Sequence, residues 1–324
     1  MPPEDEFAKA VRERLPQIDQ ILADQNMRLG VRPLNAAIHF VEYWILDIKG
    51  GTKDEFWNQR WFAILFWHIR NWYKEFYGER LDSSKERLPG IVFINGTPFK
   101  LSIGATRSEV EEPGKSAWLV FPVGAHATET LDGWFESPPN LSVLARNDRE
   151  ALEAQVLQII AATRGLNLDL MTAELSDDVL QVFRSSIVVH LENAVNAATR
   201  NSQESMSVAM WELHLMTEKS IKLVLKQRGA CPNTHDLAEL RALVDAIVDS
   251  SSIGEEFKNT LPKSQAIAFR YCDGGLVSAD AFFKLYLSSL AIAAFYAEQL
   301  QRSMSVRNGR ILLKKPPWLE LPDA

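Results

Sequence analysis

The stretch from Glu204 to Leu240, ESMSVAMWELHLMTEKSIKLVLKQRGACPNTHDLAEL, narrows the fold more than any other part of the chain. Met206, Met210, Leu213, Ser220, Ile221 and Val224 recur at steps that share one side of a 3.6-residue helix, so that side is expected to be core. Opposite it, Glu218 stands four residues before Lys222, the favourable order for a helical ion pair. Lys222, Lys226 and Arg228 suit the negative end of the helix dipole. Gly229 is the expected stop, and Pro232 cannot continue the helix. Asn233 or Thr234 can cap a new helix, with Asp236 near its positive end, and Leu237, Leu240, Leu243, Val244, Ile247 and Val248 repeat the core pattern. Two antiparallel helices joined by a short loop are the consequence.

The chain around this joint has 324 residues, enough for two domains with separate cores. An apolar content of 46% with 24% charged residues is that of a globular protein. The net charge of -7 is uneven: residues 1–180 hold 19 Lys and Arg against 27 Asp and Glu, and residues 181–324 hold 16 against 15. Only the second part tolerates phosphates, without forming a basic patch. The cysteines, Cys231 and Cys272, are too few for a disulfide framework and read as reduced thiols. An acidic N-terminus without an apolar signal region, and no uncharged apolar run of membrane-spanning length, lead us to expect a cytoplasmic protein.

The remaining pattern predicts a mainly α protein with a small antiparallel sheet. Helices are expected at about 4–25, 34–48 and 54–77, the third unusually rich in aromatic residues and read as buried between two layers. A stacking platform for bases is the sharper reading of those rings. From about residue 90 the period changes, and Ile91, Phe93, Phe99, Leu101 and Ile103 alternate around Asn95-Gly96, a two-residue hairpin signal. A sheet over about 90–123 and a helix over 147–163 ended by Gly165 complete an N-terminal α+β domain, residues 1–170. Beyond the boundary at 166–175, helices at about 177–199, 204–228, 235–249, 254–268 and 279–302 predict a C-terminal antiparallel bundle, residues 176–303. Residues 304–324 form a basic tail, either solvated or laid across the N-terminal domain through Ile311, Leu312 and Trp318.

The joint, with the segments TEKSIKLVLKQRG at 217–229 and PNTHDLAEL at 232–240, resembles the HEPN family of small helical bundles. That family has a Glu-Lys-x-x-Lys-like segment closing its long helix and a Pro-x-x-His-Asp-Leu start to the next. Arg270-Tyr271 matches a further recurrent pair, and the resemblance covers about residues 176–303. It implies a homodimer formed through the bundle that binds RNA or nucleotides, with Lys222, Lys226, Arg270 and Tyr271 as the contacts in this chain. Ribonuclease members carry Arg, four to six residues, then His, and cleave RNA without metal: histidine moves a proton while arginine offsets phosphate charge. Three pairs here have that spacing, Arg32 with His39, Arg184 with His190 and Arg228 with His235, and only the last lies in the resembling helix joint. Arg228 as phosphate clamp and His235 as acid/base are therefore the candidate catalytic residues. The competing reading makes His235 a capping and hinge residue, Arg228 a solvated helix end, and Arg270 a partner for an acid such as Asp236. On that reading the protein is a catalytically silent interaction module whose N-terminal domain senses a ligand or partner. No cofactor and no metal site are expected. The paired-aspartate element of the nucleotidyltransferases that accompany HEPN proteins is missing, so such an enzyme would be a separate chain.

Overall fold

The computed structural model describes residues 6–49, 52–84, 87–230 and 232–315, without the side chains of 82–84. Gly50 and Gly51, which follow the helix expected over 34–48, Cys231, and the end of the basic tail from Pro316 on, Trp318 included, lie outside the described residues. The protein is mainly helical with two small antiparallel sheets. In chain order come α1 (Glu6–Asp24), α2 (Arg32–Tyr43), α3 (Arg60–Tyr77), β1 (Arg87–Ile94), β2 (Thr97–Gly104), β3 (Arg107–Glu112) and β4 (Ser116–Val120). Then follow α4 (Arg146–Thr172), α5 (Asp178–Thr199), α6 (Gln203–Gln227), α7 (Leu237–Asp245), α8 (Gly254–Phe257), α9 (Lys263–Arg270), α10 (Ala279–Glu298) and β5 (Arg310–Lys314). Sheet orders are β1-β2 and β3-β4-β5.

The chain divides into two compact units that do not follow the expected boundary: Met1–Glu86 with Glu109–Trp118 and Leu312–Ala324, and Arg87–Ser108 with Leu119–Ile311. Residues 166–175, read as the domain boundary, fall largely inside α4, which continues past Gly165 to Thr172. An interior glycine costs about 1 kcal/mol, and burial of Leu166, Leu168 and Leu170 outweighs it. The β1-β2 hairpin, expected with the N-terminal helices, packs on α4, α5 and α10 instead. Its Ile91, Val92, Leu101 and Ile103 are buried in the same core as the bundle helices. Asn95 and Gly96 both have positive φ, 51° and 75°, as the tight hairpin turn between β1 and β2 requires. Close packing is visible at Gly90, where a Cβ would stand 3.0 Å from the Ile159 side chain.

In the first unit, α1, α2 and α3 bury Val11, Leu15, Ile18, Phe40, Phe62, Leu65, Phe66 and Ile69 against one another. The aromatic α3 is buried on one side only, because Trp67 and Phe76 remain 39% and 68% exposed. Its inner side carries a polar knot: Tyr73 donates to Asp19 Oδ1 at 2.8 Å, Tyr77 donates to Oδ2, and Arg32 pairs with Oδ1 at 3.3 Å. Burial, with the neighbouring carboxylate, pushes the Tyr73 phenol far above its ordinary range.

In the second unit, α6 is the central rod, packed by α5, α7, α9 and α10. It departs from the simple amphipathic reading. Glu218 and Lys222, expected on the solvent side, are 3% and 8% exposed, because helices cover α6 on nearly every side. What stays partly open is a stripe at Val208, Trp211, Leu215 and Lys219. The helix ends as expected: Gly229 has φ +83°, and the amides of Gly229 and Ala230 return to the carbonyls of Lys226 and Leu225. The cap of α7 is Asp236, which accepts from the Ala238 and Glu239 amides, and not Asn233 or Thr234. The helix expected over 254–268 is broken into α8 and α9, because Pro262 offers no amide and would clash with the preceding turn. The basic tail contributes β5, a strand the sequence reading lacked.

The α10 helix has the length and hydropathy of a membrane span, with half of that window buried inside the fold. A core helix has the same properties. The turn from α10 onward is tied down by Asp169, fully buried in α4, which accepts from both Arg302 and Arg307.

Candidate functional site

The open stripe of α6, the 232–236 segment and α9 enclose a cleft of about 420 Å³ lined by Trp211, His214, Leu215, His235, Lys263, Ile267 and Arg270. Lys263, Ile267 and Arg270 stand at i, i+4 and i+7, so one side of α9 faces the cleft. Trp211 and Leu215 are one turn apart on α6 and form the opposite, apolar wall.

Arg270 is the most distinctive group. Its guanidinium carbon lies 5.5 Å from the centre of the Trp211 ring and 5.6 Å from that of Tyr271, which is 65% exposed. Among the described residues it has no carboxylate partner: Asp236, its expected acid, is occupied with the amides at the start of α7. Cation-π contacts at two rings orient the guanidinium without using its N–H donors.

His235 lines the same cleft as Arg270 and is held by Glu218. Its Nδ1 is 3.0 Å and 3.1 Å from the two oxygens of Glu218, which also accepts from Lys222 Nζ at 2.7 Å. The segment carrying it is braced by Thr234, whose hydroxyl accepts from the Asp236 amide and donates to Glu239. His214 forms part of the floor, with its ring stacked on Trp211 at 5.7 Å. Burial pushes the His214 imidazole below its ordinary range, and the nearby Glu218 charge and His235 carbonyl offset only part of that.

The structure thus brings His235, Arg270 and Tyr271 together, while the other candidates lie elsewhere. Arg228 ends α6 and donates to the carbonyls of Ile247 at 3.4 Å and Gln299 at 3.2 Å, tying the ends of three helices. It does not line the cleft with His235. Lys222 is committed to Glu218, and Lys226 lies 5.2 Å from the Phe183 ring, outside the cleft. In the other two spaced pairs, Arg32 is held by Asp19, Arg184 by the Leu170 carbonyl and His190 by Glu212 at 2.6 Å, while the His39 ring lies against that of Tyr43. Trp211, Lys263 and Glu218 were missed as site residues. The only sequence signal for Trp211 and Glu218 is a seven-residue interval along one helix face, and Lys263 has none until Pro262 is recognised as a helix start. Among the described residues no group of three or more His, Cys, Asp or Glu could hold a metal ion. In function terms the cleft pairs an aromatic and apolar wall with two cations and an accessible imidazole, an arrangement suited to a flat ring carrying an anion. No family model, curated protein or solved structure matches the chain.

Proposed function

We propose that the protein binds RNA or a nucleotide in this cleft, with Arg270 and Lys263 on phosphate and a base against Trp211 or Tyr271. The observation that carries the reading is Arg270, oriented by two rings with its donors unused beside a second cation. Base stacking on an aromatic side chain contributes about 1–3 kcal/mol, and charge-assisted bonds to phosphate add orientation.

The nucleolytic form of this reading gives His235 the proton. Its Nε2 takes hydrogen from a ribose 2'-hydroxyl as that oxygen attacks the adjacent phosphorus. The bond to the 5'-oxygen breaks, and the proton returns to the leaving oxygen, so a cyclic phosphate and a free 5'-hydroxyl result. Arg270 and Lys263, and not Arg228, are then the groups that offset the charge. Arg228 supports the helix ends around the site.

The test uses fluorescence anisotropy of a labelled single-stranded RNA at low salt, followed by gel analysis of the same RNA with a chelator present. Arg270→Glu is expected to lower affinity at least tenfold with an unchanged far-UV spectrum, and His235→Ala to bind normally while abolishing cleavage. No binding by the wild-type protein overturns the reading. The second reading, the silent interaction module, shares one observation with the first: Val179, Val182 and Val189 on α5 are 71%, 71% and 49% exposed. Such a stripe suits the homodimer contact expected of the bundle.

A further inference from the structure

Glu218 lies behind the cleft residue His235, with a side chain 5% exposed, and the imidazole resting on it is 61% exposed. We propose that Glu218 is the positioning residue of a proton-transfer centre at His235: it holds the neutral ring with hydrogen on Nδ1, leaving the Nε2 lone pair facing the cleft. The proposal rests on the acid/base role given to His235 above.

Three features carry it. Both carboxylate oxygens lie within hydrogen-bond distance of Nδ1. An ionised carboxylate only accepts, so Nδ1 must be the donor and Nε2 the free position of a neutral ring. Nε2 makes no hydrogen bond among the described residues. The Lys222 ammonium, 10% exposed and 2.7 Å away, offsets the cost of burying the acid. Among the described residues, other charged or titratable groups near the ring include His214 on α6, Asp236 on its own segment, and Lys263 and Arg270 on α9. None of them is bonded to Nδ1.

A hinge or capping residue bonded to Glu218 would carry the same tautomer; what a base adds is proton transfer at Nε2, so turnover separates the two roles where the tautomer does not. When the ring accepts the substrate proton, the carboxylate stabilises the imidazolium that forms. The same contact therefore orients the base and lowers the energy of its product.

The experiment is nitrogen NMR on the full chain labelled with 15N-histidine, at a pH where the rings are neutral, with His235→Ala assigning its signals among the six histidines. The wild-type protein is expected to show His235 protonated on Nδ1. Lys222→Met retains that signature, and Glu218→Gln loses it. Should Glu218→Gln fold poorly because Lys222 is left buried and unpaired, the double variant Glu218→Gln/Lys222→Met removes both charges and reads the same tautomer. In the RNA cleavage assay, loss of the orienting carboxylate lowers turnover by about 10²- to 10⁴-fold with unchanged RNA affinity, by analogy with other carboxylate-oriented histidines. A wild-type ring protonated on Nε2, or a Glu218→Gln protein with wild-type tautomer and turnover, overturns the proposal. Wild-type protein that binds RNA without cleaving it removes the acid/base reading and the proton-transfer role with it, even where the tautomer is as stated.

Discussion

Several single residues decide how this protein responds to acid and to mutation. Asp169 is fully buried and shared by Arg302 and Arg307. Asp169→Asn leaves two guanidinium groups facing a neutral amide, and breaking a buried charge pair from one side costs about 3 kcal/mol or more. Urea denaturation should show that loss, and an unchanged midpoint would mean that the arginines reach water without cost. Glu129 is perturbed by burial, which raises its carboxyl, and by hydrogen bonds from Arg164 and the His126 amide, which with nearby positive charge bring it below its ordinary 4.5. Because the folded form binds the proton less readily than the unfolded form, its stabilisation is complete above 4.5 and fades as pH falls through the folded value. His214, depressed below 6.5 by burial, acts in the same direction at a higher window: stability falls as pH drops below 6.5. Melting temperatures between pH 7 and 3 should therefore decline in two stages. Glu129→Gln should flatten the lower one, and His214→Gln the upper.

Helices and turns show how local chemistry and packing divide the work. Gly229 closes α6 with φ +83° and nothing within 4 Å of a would-be Cβ, so strain alone opposes a side chain there. Gly229→Ala should cost about 1 kcal/mol, the penalty of a left-handed L-residue, readable as a small shift in denaturation midpoint. Asp236→Ala removes the cap of α7 and should cost about 0.5–2 kcal/mol. It also loosens the segment holding His235, so if His235 is the proposed acid/base, cleavage should fall more than stability does. These positions were legible in advance because a left-handed glycine and a capping acid act through neighbours within a few residues, although Asp236 takes the capping role assigned to Asn233 or Thr234. The length of α4 was not: Gly165 reads as a stop, yet three buried leucines beyond it hold the helix together. Glu218 and Lys222 were readable as a pair, while their burial was not. Periodicity records which side of a helix is more apolar, not how many neighbours surround it.

At the scale of the whole molecule, the bundle joins the hairpin and α4 in one core, whereas α1, α2 and α3 have a core of their own. If self-association uses the exposed valines of α5, sedimentation should give a dimer that Val182→Asp converts to a monomer without loss of helical signal. A wild-type monomer at high concentration would remove the dimer contact while leaving the cleft reading untouched. If the cleft binds RNA as proposed, with Lys263 and Arg270 as the cations, binding should weaken with salt only modestly, as about two phosphates are neutralised. A steep salt dependence would point to a larger basic surface elsewhere. By itself, the order of residues determined where most helices lie, though not the extent of α4 or the break between α8 and α9, and it determined the Asn95-Gly96 turn and the Gly229 joint, because these depend on contacts made within one or two turns of chain. The tertiary structure alone decided that Arg270, from α9, meets Trp211 and His235, and that Arg228 does not. Side chains far apart in sequence share a cleft only when packing of α6, α7 and α9 sets their separation, and no spacing along the chain encodes that distance.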